Sequence, residues 1–169
     1  MGVIKLGFIS LIVFALLITG FSLFIPSHIR ISKATDINAS QDSVLQQLNN
    51  PSHWKQWYPG ADTLDLYTEN GQLKGISTGN GQSLKIISVN DSTITTAMVG
   101  PGAKKGSSGW NIYQGRTPNT VTVQWYMDIH LRWYPWEKFS SLLLEKRYGP
   151  MMEQGLEKLK DLLEKQVKP

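Results

Sequence analysis

Residues 135–167 constrain the fold more than any other stretch of the chain. Pro135 and Glu137 suit a first helical turn, and Met151, Met152, Leu156, Leu159, Leu162 and Leu163 then recur at spacings of three and four, which is one face of a helix. The opposite face carries Glu153, Glu157, Lys160, Asp161, Glu164 and Lys168, with Lys160 and Glu164, and Glu164 and Lys168, spaced to pair across one turn. Gly149-Pro150 interrupts the pattern, because proline lacks an amide donor and disfavours a helical residue before it. A kink or two abutting helices is expected there, with Pro150 as the first residue of the second. A helix with a single apolar face must bury that face on something, and almost everything upstream reads as strand. A sheet is therefore expected to grip it.

Residues 28–37 alternate as a first strand, and Asn38-Ala39-Ser40 supplies a cap for a short helix whose apolar face is Val44, Leu45 and Leu48. An aromatic segment follows, with Trp54, Trp57 and Tyr58 before Pro59-Gly60. Asn70-Gly71, Asn80-Gly81 and Asn90-Asp91 then fall ten residues apart, the spacing of a hairpin meander. Strands are expected at 63–68, 73–78, 83–89, 93–99, 108–114 and 120–132, with residues 100–106 and Thr117-Pro118-Asn119 as hairpin loops. In the last strand Val121, Val123, Trp125, Met127, Ile129 and Leu131 alternate with Thr122, Gln124, Tyr126, Asp128, His130 and Arg132. The apolar face should meet the long helix. The reading is an α+β helix-grip fold: a seven-stranded curved antiparallel sheet wrapped around a long C-terminal helix.

Residues 6–25 are twenty residues without a charge, and at 1.5 Å per residue they span roughly 30 Å, the hydrocarbon thickness of a bilayer. The apolar run continues through Phe21, Leu23, Phe24 and Ile25 with no small-residue exit, which favours an uncleaved anchor over a signal peptide. Residues 1–27 are thus read as a membrane anchor with its linker and 28–169 as a separate domain, a single-pass protein. Flanking charges nearly balance, Lys5 on one side and Arg30 and Lys33 on the other; the soluble part is placed outside the cytoplasm. Of 169 residues 41% are hydrophobic and 18% charged, so one sizeable core is possible. A net charge of +4 on scattered lysines and arginines is no nucleic-acid footprint, so no nucleic-acid partner is expected. The chain has no cysteine, which excludes disulfides, thiolate metal sites and a cysteine nucleophile.

The alternating run 29–37 with Asn38-Ala39-Ser40, the segment Pro51-Ser52-His53-Trp54-Lys55-Gln56-Trp57, the meander ending in Thr122-Val123-Gln124-Trp125, and the final helix from Gly149-Pro150-Met151-Met152 together resemble the SRPBCC (START/Bet v 1-like) superfamily. More narrowly, the chain is similar to bacterial polyketide cyclase/dehydrase-like and lipid-transport-like members with one N-terminal membrane helix. The resemblance covers 28–165 and implies a hydrophobic cavity between the sheet and the last helix. It carries over no catalytic residue.

The inward residues of that arrangement are the ligand-cavity candidates: Trp110, Ile112, Trp125 and Met127 from the sheet, Met151, Met152 and Leu156 from the helix, with Trp54, Trp57 and Tyr58 at the mouth. The same residue types also make a closed core. Methionines fit variable apolar ligands, and Gly155 on that face would leave room for one. Asp128 and His130 resemble an acid-base pair but lie on the outward face. Neither a zinc-binding His-Glu-x-x-His helix nor a nucleophile elbow occurs, and no metal or cofactor is expected. Three functions stay open: a membrane-tethered carrier of a small hydrophobic molecule or lipid, an enzyme of the cyclase/dehydrase type, and a partner-binding domain with a filled core. The enzyme requires an inward ionisable group, which Glu69, Lys85 or His130 supplies only if a strand slips by one residue. The third reading draws on the aromatic set Trp133, Tyr134 and Trp136 as an interface or membrane-contact belt.

Overall fold

In the computed structural model, residues 2–103, 106–115, 117 and 119–167 are described, the last two by backbone alone. Helix α1 (Gly2–Ser22) is followed by β1 (His28–Ile37), α2 (Gln41–Asn49), α3 (Trp54–Trp57) and a 3-10 turn at Ala61–Thr63. Strands β2 (Leu66–Glu69), β3 (Gln72–Gly79), β4 (Gln82–Asn90), β5 (Thr93–Val99), β6 (Gly106–Gln114) and β7 (Val121–His130) form the meander, and α4 (Pro135–Ser141) and α5 (Leu144–Val167) close the chain. The seven strands lie in the order β1-β7-β6-β5-β4-β3-β2, each pair antiparallel. The curved sheet packs through β1 and β7 on α5, which also touches α3.

Local chemistry explains most of these elements. The Ser40 hydroxyl accepts a bond from the Ser43 backbone N–H at 3.2 Å and starts α2, whose Val44 and Leu48 are fully buried. Asn70 and Gly71, and likewise Asn80 and Gly81, hold positive φ of 51° and 77°, and 51° and 73°. Two consecutive positive values define the type I′ turn whose twist matches a hairpin. On β7, Val121, Val123 and Trp125 are buried on the helix side, and Val121 pairs with Ile37, Val123 with Ile112 and Trp125 with Trp110. The alternation on β7 thus reports the face that meets the core.

Three expectations need correction. Pro150 lies inside a continuous α5, not at its first residue; the helical break falls earlier, at 142–143. The Lys33 ammonium spans this point: it bonds Glu145 at 2.8 Å and Glu153 at 2.9 Å, on either side of the proline, while Gly149 passes over the lysine side chain. A Cβ at 149 would sit 3.1 Å from Lys33 Cε. Second, β2 starts at Leu66 and not at residue 63, because Gly60, at φ 80°, turns the chain into the 3-10 turn. Third, β7 ends at His130 and not at 132, and Leu131 donates to Ser27 O as the chain leaves the sheet. Lys104, Lys105, Pro118 and Lys168, which the loop and pairing expectations include, lie outside the described residues.

Candidate functional site

Between the sheet and α5 lies a cluster of five aromatic rings. Trp110 of β6 and Trp125 of β7 are cross-strand neighbours with centroids 5.6 Å apart. Residues 54 and 57 are three apart on α3, so both indoles drop onto this pair: Trp54 lies 5.5 Å and Trp57 5.6 Å from Trp110, edge to face. Tyr58 completes the set 5.0 Å from Trp125. Met152 and Leu156 of α5 and Ile112 of β6 are buried in the same core, whereas Met151 and Met127 are half-buried at its margin. All ten candidate residues thus belong to one packed unit. Their depth differs from the expectation, because Trp54 and Trp57 are fully buried and only Tyr58 of the mouth trio keeps partial exposure.

The centre is filled, which corrects the expectation of an open hydrophobic cavity between the sheet and the last helix and is the arrangement that the partner-binding reading expected. A Cβ on Gly155 would stand 2.7 Å from Trp125 Cζ3 and 2.9 Å from Pro59 Cδ, so the glycine makes room for the tryptophan and proline rings. Two clefts among the described residues are open to solvent. One, about 380 Å³, runs between Ala34 and Thr35 of β1 and Glu153, Leu156 and Glu157 of α5. The other, about 480 Å³, lies near Ser40, Gln41 and Asn119.

Hydrogen bonding inside the cluster is uneven. Trp54 Nε1 donates to Leu48 O at 2.8 Å, and Trp125 Nε1 to Ser108 Oγ at 3.1 Å, which itself donates to Tyr126 O at 2.9 Å. Trp57 Nε1 and Trp110 Nε1 are buried with no partner. A buried donor left unpaired costs on the order of 1–3 kcal/mol, so two in one cluster call for an explanation. Burial pushes the Tyr58 phenol up to about 12, so it stays protonated. The cluster presents donors: two free indole N–H groups and a phenol at the rim. An oxygen acceptor on an otherwise apolar molecule is what such a set complements.

The other polar candidates face away. Glu69 and Lys85 pair with each other on the outer face, and the bond from Lys85 lowers the Glu69 carboxyl. His130 is exposed and stacks on His28 at 4.6 Å. Asp128 is on the outer face as expected but is not solvated. Arg30 Nε and Nη2 donate to its two oxygens at 2.7 and 2.6 Å, His28 Nε2 lies 3.2 Å away, and the Arg30 bonds hold its carboxyl below the ordinary range. Sequence reasoning missed this fork, which follows from the pairing of Arg30 with Asp128 in the β1–β7 register. It also missed Ser108, although its alternation with Trp110 and Ile112 marks it as inward.

A curved antiparallel sheet gripping one long helix, with two short helices after the first strand, defines a START-like helix-grip protein. Solved structures share that fold: a START superfamily protein from Mycobacterium smegmatis has TM-score 0.59 at 16% identity, over 82% of this chain and 99% of that one. The Zhui aromatase/cyclase from Streptomyces sp. R1128 gives 0.57 at 12%, over 83% and 96%, and the Aha1 dimer from Colwellia psychrerythraea 0.53 at 18%, over 80% and 96%. The model of the polyketide cyclase/dehydrase and lipid transport family matches residues 28–164, and the chain belongs to that family. No curated protein matches it.

Proposed function

We propose that this protein is a membrane-tethered binding module for a small hydrophobic or lipid-like molecule with one acceptor oxygen, taken up between Trp57, Trp110, Trp125 and α5. The observation that carries the reading is the pair of unpartnered indole donors, Trp57 Nε1 and Trp110 Nε1, within the buried aromatic cluster. Entry is past Tyr58, Met127 and Met151, the half-buried members, whose displacement opens the filled centre. Burying roughly 300 Å² of apolar surface gains about 7 kcal/mol at 25 cal/mol per Å². Association costs of about 4 kcal/mol or more leave a gain weaker than millimolar affinity. The donor bonds are what make the site selective. Helix α1 is long and apolar enough to cross a membrane. As an anchor it keeps an apolar ligand close to the bilayer, with residues 28–169 as the ligand-binding domain, held outside the cytoplasm.

Native mass spectrometry of the full chain, released from detergent and exposed to a total lipid extract, tests the proposal. The expected result is a one-to-one small-molecule adduct, weakened by Trp110→Phe and lost in Met152→Glu. Bare protein before and after exposure overturns it.

The family also supports a second reading, a cyclase/dehydrase-type enzyme, and one observation favours it: Tyr58 is the half-buried member of the aromatic cluster, where its phenol can donate to a substrate carbonyl. Loss of turnover of a poly-β-carbonyl substrate in Tyr58→Phe, with binding retained, distinguishes it from the carrier.

A further inference from the structure

Helix α4 has the polarity of a soluble helix turned inside out. Trp136 and Phe139 of α4 and Leu142 and Leu143 of the break that follows it form one outward apolar patch, and Trp136, Leu142 and Leu143 are 66%, 68% and 65% exposed. Lys138 and Ser141 point inward, and Lys138 is only 4% exposed. Lysine is almost never buried unless paired, and large apolar side chains in water cluster inward. The inversion has a local cause. Lys138 Nζ donates to Ile25 O at 2.6 Å and to Ser27 Oγ at 2.7 Å, which ties α4 to the chain where it leaves α1. Residues 18–20 and Ile25 of that end are partly covered and Ser22 is buried, while the rest of α1 is bare.

The segment before α4 extends the patch. Trp133 is 65% exposed and lies 4.9 Å from Tyr134, which stacks on Trp136 at 4.7 Å. Arg132 holds this array, donating to Glu137 at 2.8 and 2.6 Å with its guanidinium 5.0 Å over Tyr134. The aromatic belt is therefore preorganised, not loose. Beyond it, Lys146 and Arg147 at the start of α5 are exposed, while Glu145 is engaged by Lys33. An outward apolar patch, tryptophans at its edge and exposed basic residues beside it are the chemistry of the lipid interface.

We infer that the face formed by Trp133, Trp136, Phe139, Leu142 and Leu143 is a membrane-docking surface that seats the grip domain on the leaflet from which α1 emerges, Lys138 joining the two. A bilayer is the occupant because α1 ends against α4: with α1 spanning, α4 stands at the level of the headgroups. A flexible tether would leave the domain free to tumble; this contact fixes which side of it faces lipid. The inference rests on α1 as the anchor but not on any ligand.

The test uses the full chain in phosphatidylcholine/phosphatidylglycerol vesicles whose acyl chains carry bromine, a short-range quencher of tryptophan emission. Helix α1 has no tryptophan and the four core indoles are shielded, so the signal reports Trp133 and Trp136. Bromolipid should quench the wild type at least twofold more than the Trp133→Phe/Trp136→Phe variant, and aqueous iodide should quench both little. Free iodide access in vesicles overturns the inference, as does shielding from both quenchers, which means that protein covers the face. Failure of the chain to float with vesicles overturns it through the anchor. Substituting two exposed rings by phenylalanine leaves the core intact, and an unchanged thermal midpoint verifies that.

Discussion

Two groups of tryptophan occupy opposite positions in this molecule. Trp54, Trp57, Trp110 and Trp125 lie under α5 with their rings in mutual contact, whereas Trp133 and Trp136 stand on the surface beside the end of α1. Composition does not separate them, since both groups sit in aromatic-rich segments with tyrosine neighbours. What separates them is the partner of the polar residues nearby. In the core group, Ser108 faces inward and satisfies one indole; beside the surface group, Lys138 faces inward and satisfies the exit from α1, leaving the aromatic side to face outward.

Removing a ring from the core group should have the largest effect. Trp125→Ala deletes a fully buried side chain between β6, α5 and Tyr58, and is expected to cost about 3–5 kcal/mol, read as a lower urea midpoint with unchanged slope. A loss below about 1 kcal/mol would mean that the core collapses onto the gap and that the cluster is not rigid.

Polar contributions come next. Trp125→Phe and Trp110→Phe delete similar volumes, but only the first removes a made hydrogen bond, to Ser108. Trp125→Phe should be the more destabilising by about 1 kcal/mol. Equal losses in urea titrations would show that the Trp110 donor is satisfied in solution, which would weaken its assignment to a ligand.

The Arg30–Asp128 fork on the outer face gives a pH signature. A carboxyl depressed in the folded state contributes stability above its unfolded value, near 4, and that contribution is lost as pH falls through the folded value. Because Arg30 is half-exposed, solvent screening limits the effect to about 1 kcal/mol. Asp128→Asn should lower stability by that amount at pH 7, and the difference should shrink as the pH falls below 4. A difference that does not shrink on acidification would assign the effect to packing.

The smallest change is expected on the surface group. Leu142→Ser should shift folding stability in detergent by no more than about 0.5 kcal/mol, because its side chain contributes little to the core. A larger loss by thermal denaturation would place Leu142 against protein and break the contrast between the two groups.

The fold was largely legible in the sequence. Strand β1 falls on the expected residues 28–37, and the Asn-Gly pairs at 70–71 and 80–81 punctuate the meander because few other pairs accept two positive φ values. The parity of β7 correctly identified the face toward the helix, since successive side chains on a strand must alternate. The candidate residues were chosen by type, and their packing into one cluster was legible in that way, their depth less so. The candidate residues form one cluster, but nothing in the local sequence says that Trp54 and Trp57 lie at its centre or that Trp125 fills the space left by Gly155. Those facts depend on how α3 and α5 approach the sheet.

Periodicity, turn chemistry and the long uncharged run are local properties, set by backbone geometry within a few residues, and they determined the elements, their faces and a helix able to cross a membrane. Everything that required two distant segments to meet was decided by the tertiary structure. Lys33 holds α5 across Pro150, Arg30 covers Asp128, and Lys138 turns inward to the end of α1. Each is a charged side chain whose placement depends on a partner far away in the chain, and the burial of Lys138 and of Asp128 is tolerable only because that partner exists. Alternation and helical spacing place such a residue on a face, but the packed structure alone supplies the partner.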